Sequence, residues 1–445
     1  MHRLRTLGAL ALLAACGPNP KPAVVMALVP DETNTLSTRQ VELTTVGNAT
    51  TLTGDVITFR GSTTVDFNSA DPLQANLDTM SDDQVYDTVV KEKGGEVRVH
   101  YIDRSGVLWP ADFHSWSMVS AYYNFERAYQ YFNDVYPDPN QLGKGAQEIL
   151  PLKVQYWADV RFDGNQVKDN ALFLSFIHSF VLMPFDQQQK VPLPMNLGVI
   201  AHETAHQVFN VRALKKQAFP DYIGTWNGLP FNFLKSLDEG LADFHGYSAT
   251  CLEVSQCQPR FLAPSWNDDR TVAMRDVSRN DACMTLDMYN ATNGTGLMTT
   301  TDQSTWTTSQ NMYKVGNIVA SALFHAGGQS GKMKELQTAI IAAYDDDSNS
   351  TPGLRQWLEV ALQQGAPPLY PMEEITDLFA AHISDPALRG WVCGEMSYRL
   401  NLHCPSGQGP CPIDSGSSGS PNLMPNCQAK QGEIGFVPKH SSGCN

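Results

Sequence analysis

Basic residues are scarce in this sequence: 31 Lys and Arg stand against 46 Asp and Glu in 445 residues, a formal net charge of −15. Phosphate backbones are gripped by concentrated Lys and Arg, so nucleic acid is excluded as an expected partner. No Cys-x-x-Cys pair occurs, which argues against a cysteine zinc site or a thioredoxin-like redox motif. There is no Gly-x-Ser-x-Gly elbow, and "GGQSGKM" has neither the glycine spacing nor the Ser/Thr of a phosphate-binding loop. No internal repeat is found. What is left is a chain long enough to bury a large core and, by length, to form two to four subdomains.

The N-terminus carries a targeting pattern: a short basic start, "MHRLRT", then the apolar "LGALALLAA", too short to span a bilayer permanently. "LAAC" (Leu13 to Cys16) resembles the bacterial lipoprotein signal. That resemblance implies cleavage after residue 15, lipidation at Cys16 and a membrane anchor through it; Gly17 in place of aspartate implies the outer membrane or cell surface. An ordinary secretory signal is the alternative, and both readings export the chain. Eight further cysteines, five of them beyond residue 390, then read as disulfides, with Cys251 and Cys257 placed to close a small loop.

Residues 16–40 are rich in proline and polar residues and read as a tether. Residues 41–105 alternate β-branched and polar residues and read as a small β-rich region, with a further strand at "EVRVHYI", 96–102. Met118, Tyr122, Phe125, Tyr129, Phe132 and Tyr136 recur at helical spacing, which predicts an amphipathic helix whose aromatic stripe faces the core. Strands are expected in "LKVQYWADVRF" and "NALFLSF". Helices are expected from an Asn196 cap to about Lys216, from near Ser236, and at 312–326, 332–344, 353–364 and 371–383. Residues 391–445 form a cysteine-rich tail.

The decisive stretch is "GVIAHETAHQVFN", residues 198–210. His202 and His206 lie four apart, one turn above each other on a helix, so both imidazoles can reach one metal ion. Glu203 flanks the same point and suits the role of general base toward a metal-activated water. A catalytic zinc takes three protein ligands, and "SLDEGLADFHG" supplies a third candidate in Glu239. Asp243, four residues on, is placed to orient a histidine ligand through its free ring N–H. Ser236-x-x-Glu239 also fits a capping box, which would spend Glu239 on its own helix start. His114, His178, His245 and His325 have no ligand spacing and read as structural.

"HETAH" followed by "EGLAD" resembles the gluzincin metallopeptidases, above all the thermolysin-like and fungalysin-like groups. The resemblance spans about residues 110–385. It implies an α+β zincin-type fold, with a mixed α/β N-terminal subdomain and a mainly helical C-terminal one over 106–390, and a Zn2+ cofactor. It implies a zinc-dependent endopeptidase acting on peptide or protein substrates. "DNALF" is similar to the family's substrate-aligning edge strand, which gives Asn170 and Ala171 substrate-binding roles. Fungalysin-like enzymes place an oxyanion-stabilising histidine three residues before a glycine; here Tyr313 precedes Gly316, and a phenol can donate the same hydrogen bond. The gap between His206 and Glu239 is longer than in thermolysin-like enzymes, so a shaped loop or lid is expected over 217–235. A zincin-fold surface lipoprotein without turnover, acting in adhesion or scaffolding, is the alternative function.

Overall fold

The computed structural model describes residues 22–30, 35–74, 77, 80–136, 145–214, 229–252, 257–282, 310–345, 352–364 and 371–400. Cys16, the signal segment, residues 217–228 of the loop expected over 217–235 and the tail beyond residue 400 lie outside them. In chain order the elements are β1 (Ala23–Pro30), β2 (Leu36–Leu43), β3 (Val46–Asn48), β4 (Thr53–Gly54), β5 (Ile57–Phe67), α1 (Asp82–Val89), β6 (Val90–Glu96), β7 (Tyr101–Arg104), β8 (Val107–Pro110) and α2 (Phe113–Val135). There follow β9 (Leu152–Tyr156), β10 (Asp159–Phe162), β11 (Asn165–Val167), β12 (Ala171–Leu174) and β13 (Ser179–Leu182). The rest is helical: α3 (Leu197–Arg212), α4 (Leu229–Thr250), α5 (Asp269–Met274), α6 (Gln310–Ser330), α7 (Met333–Asp345), α8 (Leu354–Gln364), α9 (Pro371–Ala381) and α10 (Pro386–Leu400). The fold is α+β, with only helices and connecting segments after β13 among the described residues. No described helix is long and apolar enough to cross a membrane.

A nine-stranded sheet runs β11-β10-β5-β9-β13-β12, with β3, β4 and β6 attached beside β5. β5, β9 and β13 are parallel neighbours, and β12 returns antiparallel as the outermost strand. Alternation along the strands sends Ile57, Phe59, Leu152, Val154, Phe180 and Leu182 to one face, where all are buried. Helix α2 covers that face. Its stripe behaves as the periodicity predicts: Met118, Tyr122, Phe125, Phe132 and Tyr136 are buried, and Phe125 meets Phe59 edge-on and Phe180 at 4.9 Å between ring centroids. Each such ring contributes about 1.5–3 kcal/mol by leaving water. The opposite face carries a smaller core of Val65, Val160, Ile177 and Val181 under Val85 and Val89 of α1.

Three expectations differ from the structure. The stretch read as a tether contains β1 and part of β2, paired from Ala23↔Leu43 to Pro30↔Leu36. Val25, Ala27 and Val29 alternate into the core, a pattern that the flanking prolines obscured. The 41–105 region is not a separate antiparallel sheet, because β5 lies parallel to β9 inside the main sheet. The strand expected at 96–102 is divided: β6 ends at Glu96 and β7 begins at Tyr101. Helices α1 and α10 were not foreseen. The Cys251–Cys257 disulfide is formed.

Candidate metal centre

Helix α3 starts where the sequence predicts. Asn196 accepts a hydrogen bond from the Gly198 N–H at 2.9 Å, and its amide nitrogen donates to the Phe261 carbonyl at 2.8 Å. One buried side chain thus caps the helix and ties it to the segment after α4, a cap whose loss costs about 1 kcal/mol. The helix ends at Arg212, earlier than the expected Lys216. It packs between α2, β12 and α4, so all of its first nine residues, Leu197 to Ala205, are buried, His202 and Glu203 among them.

Helix α4 begins at Leu229, within the segment expected to be loop. Ser236 is therefore interior to the helix and caps nothing; its hydroxyl is buried without a hydrogen bond among the described residues. Glu239 is free of the capping role. Gly246 lets α4 approach α3 closely: a Cβ there would lie 2.8 Å from the Gly198 carbonyl oxygen and 3.2 Å from Cβ of His202. A second close approach joins α4 to α6, where a Cβ on Gly316 would lie 2.8 Å from the Gly240 nitrogen.

Across the first seam three atoms converge. Nε2 of His202 and Nε2 of His206 are 3.1 Å apart. Oε2 of Glu239 lies 3.3 Å from the first and 3.7 Å from the second. The far nitrogen of each ring faces a carboxylate: His202 Nδ1 is 3.0 Å from Asp243 Oδ1, and His206 Nδ1 is 2.8 Å from Asp238 Oδ1. A carboxylate beside Nδ1 favours the tautomer in which the other ring nitrogen, Nε2, carries the lone pair a metal needs, and Arg275 Nη2 lies 3.3 Å from His202 Nε2 on the same side. Glu239 Oε2 accepts no hydrogen bond of good geometry from any described residue. His202, His206 and Glu239 each turn one ligand atom to a common point and could hold a metal ion there.

The spacing and charge fit a divalent ion. Corners about 2.0–2.1 Å from a tetrahedral centre are about 3.4 Å apart, close to the three separations above. Four carboxylates (Glu203, Asp238, Glu239, Asp243) and two cations (Lys235, Arg275) gather here, all of them mostly buried. With both imidazoles neutral, as ligation requires, these formal charges sum to two negative, costly in a buried site and what one divalent cation would neutralise. Two imidazoles and a carboxylate suit zinc.

Local fields follow from these neighbours. Burial by itself would raise the Glu239 carboxyl, but Lys235 and the two imidazoles outweigh it and hold Glu239 well below the usual range. Burial and the Arg275 cation work against a charged His202, yet hydrogen bonds to Asp243 and Glu239 prevail and lift it to about 9. The Glu239 carboxylate, then burial, raises the Tyr313 phenol, which stays a proton donor.

The other foreseen residues are also brought together. Asn170, Ala171, Phe173, Glu203 and Tyr313 line the same cleft, a cavity of about 450 Å³. β12 is the edge strand that the sequence suggests. Its Asn170 carbonyl accepts from Met183 N–H on the β13 side, so the backbone groups of Ala171 and Phe173 face the cleft. Phe173 N–H donates to Glu203 Oε2 at 2.9 Å, and the Asn170 side chain takes the Ala171 N–H. His114 and His245 are paired with Tyr156 and Tyr131, His325 faces the Arg279 carbonyl, and His178 sits in a separate groove; none lines the cleft.

No family model matches the chain, and no curated protein is significantly similar to it. The site therefore stands on its own geometry.

Sequence reasoning missed three of its members. Arg275 follows α5, in a stretch without hydrophobic period, and forms a close ion pair with Asp243 while its guanidinium carbon lies 4.4 Å from the Tyr313 ring centroid. Asp238 and Lys235 precede Glu239 by one residue and one turn. Their signal was present in "KSLDEG", but it was read as a helix start.

Proposed function

We propose that this protein is a zinc-dependent endopeptidase with a zincin-type arrangement, in which His202, His206 and Glu239 hold the ion. The observation that carries the reading is the convergence of Nε2 of His202, Nε2 of His206 and Oε2 of Glu239 beside a buried carboxylate and an open strand edge. Zinc, when bound, supplies Lewis acidity and a water of lowered pKa.

The chain's own residues supply the rest. Phe173 N–H fixes Oε2 of Glu203, so Oε1 is left to take a proton from the attacking water and return it to the leaving amine. The outward carbonyls of Ala171 and Phe173 pair with the N–H groups of an extended peptide, as an added strand does at a sheet edge. Tyr313, kept protonated, donates toward the oxygen that gains charge as the carbonyl is attacked. Arg275 holds Asp243, which in turn holds His202. In this reading the enzyme is exported and anchored through Cys16, and its substrates are surface or extracellular proteins.

Metal analysis of the purified protein tests the first half, with about one zinc per chain expected. Hydrolysis of casein and a mixed peptide library tests the second. Glu203→Gln lowers turnover by about 10²–10⁴-fold and leaves zinc content unchanged. A wild-type protein that holds zinc but cleaves nothing on the panel overturns the peptidase and leaves the scaffold; one that holds no metal overturns both.

A further inference from the structure

One cation beneath the centre has no part in the ligand set. Lys235 sits one turn before Glu239 on α4, with its side chain 22% exposed at the cleft wall. Its Nζ donates to Glu239 Oε1 at 2.8 Å and to Asp238 Oδ2 at 3.2 Å. These are the oxygens that Glu239 and Asp238 do not turn toward the histidines: Glu239 Oε2 faces both Nε2 atoms, and Asp238 Oδ1 faces His206 Nδ1. A carboxylate with both oxygens free can swing to grip a metal through the pair. With Oε1 held by an ammonium, only Oε2 can turn to the ion.

We infer that Lys235 is the positioning residue of the metal centre: it restricts Glu239 to one-oxygen ligation and, by gripping Asp238 as well, fixes His206 and Glu239 relative to each other. Two of the three ligands are then aligned by a single ammonium, and one coordination position is left for water and substrate. The inference rests on the metal reading above. It goes beyond that reading because it assigns a role to a residue that binds neither metal nor substrate.

Metal affinity alone is a poor test, since removing the ammonium also removes a repulsion toward the ion. Coordination is the direct readout. In wild-type protein loaded with cobalt(II), one-oxygen ligation gives the intense visible bands of a four-coordinate site. Lys235→Met keeps the stem and removes the charge; a several-fold loss of band intensity is expected as Glu239 closes with both oxygens. Lys235→Gln, which retains a donor without charge, gives a smaller loss and serves if the Met variant fails to fold. Unchanged bands in either folded variant overturn the role of Lys235. Wild-type protein that takes up no cobalt overturns the metal reading itself, which separates the two failures.

Discussion

Two grooves of similar size border the nine-stranded sheet, and they differ in how they treat charge. The one beyond the edge strand β12, about 450 Å³, buries its ionic groups and engages them with one another: Asp243 with His202 and Arg275, Asp238 with His206 and Lys235. The other, about 580 Å³, opens on the sheet face turned away from α2, where Arg60, Lys93 and Lys153 extend into solvent. Volume favours the second groove. Chemistry favours the first, because buried ionic groups survive only where partners hold them at fixed positions, and fixed positions are what ligation needs.

Zinc should break the comparison most visibly. An ion that binds only the folded cleft stabilises the protein by about 4 kcal/mol at a thousandfold excess over its Kd, seen as a rise in melting temperature that chelation reverses. A melting temperature indifferent to zinc would place the two grooves on equal footing. Next in size is Asp238→Asn, which leaves all three donor atoms in place but weakens the hold on the His206 ring. A loss of about 10–100-fold in zinc affinity is expected by chelator competition, and undiminished affinity would deny Asp238 its part.

His245 calibrates what burial does to an imidazole without carboxylate neighbours. Burial lowers it from 6.5 to about 3, so the folded state keeps it neutral where the unfolded chain takes up a proton. Its contribution is complete above pH 6.5 and falls by up to about 1.4 kcal/mol per pH unit as pH drops toward 3. Urea titrations of wild type and His245→Gln across that range read the difference in slope; equal slopes would refute it. The smallest effect belongs to the larger groove. Arg60→Ala and Lys153→Ala should change stability by no more than about 0.5 kcal/mol and leave zinc content and hydrolysis untouched. Loss of metal in either variant would join the two grooves functionally.

Local signals were the readable ones. The Asn196 cap, the four-residue spacing of His202 and His206, and the pair Glu239 and Asp243 each lie within one or two turns of chain, where helical geometry fixes who meets whom. Arg275 could not be read because it arrives from an unpatterned stretch, and its partner Asp243 is a neighbour only in space. Ser236 misled for a related reason: a capping box has the same letters inside a helix as at its start, and only the true beginning at Leu229 decides. β1 was hidden by the prolines around it, although its Val-x-Ala-x-Val alternation was already a strand pattern. Helix α10 runs across residue 391, where the cysteine-rich tail was expected to begin; Arg399, fully buried there, donates to the carbonyls of Arg279, Asn280 and Ala282.

The glycine contacts that bring α4 against α3 and α6 carry an evolutionary consequence. Because backbone rests on backbone at Gly198, Gly246, Gly240 and Gly316, the gauge of the gap is set by atoms that every amino acid shares. Substitutions in the cleft walls can then alter what the cleft admits while the spacing of His202, His206 and Glu239 is kept. Variation in the walls is uncoupled from the frame that sets those three side chains, and the four glycines are the positions where that freedom ends.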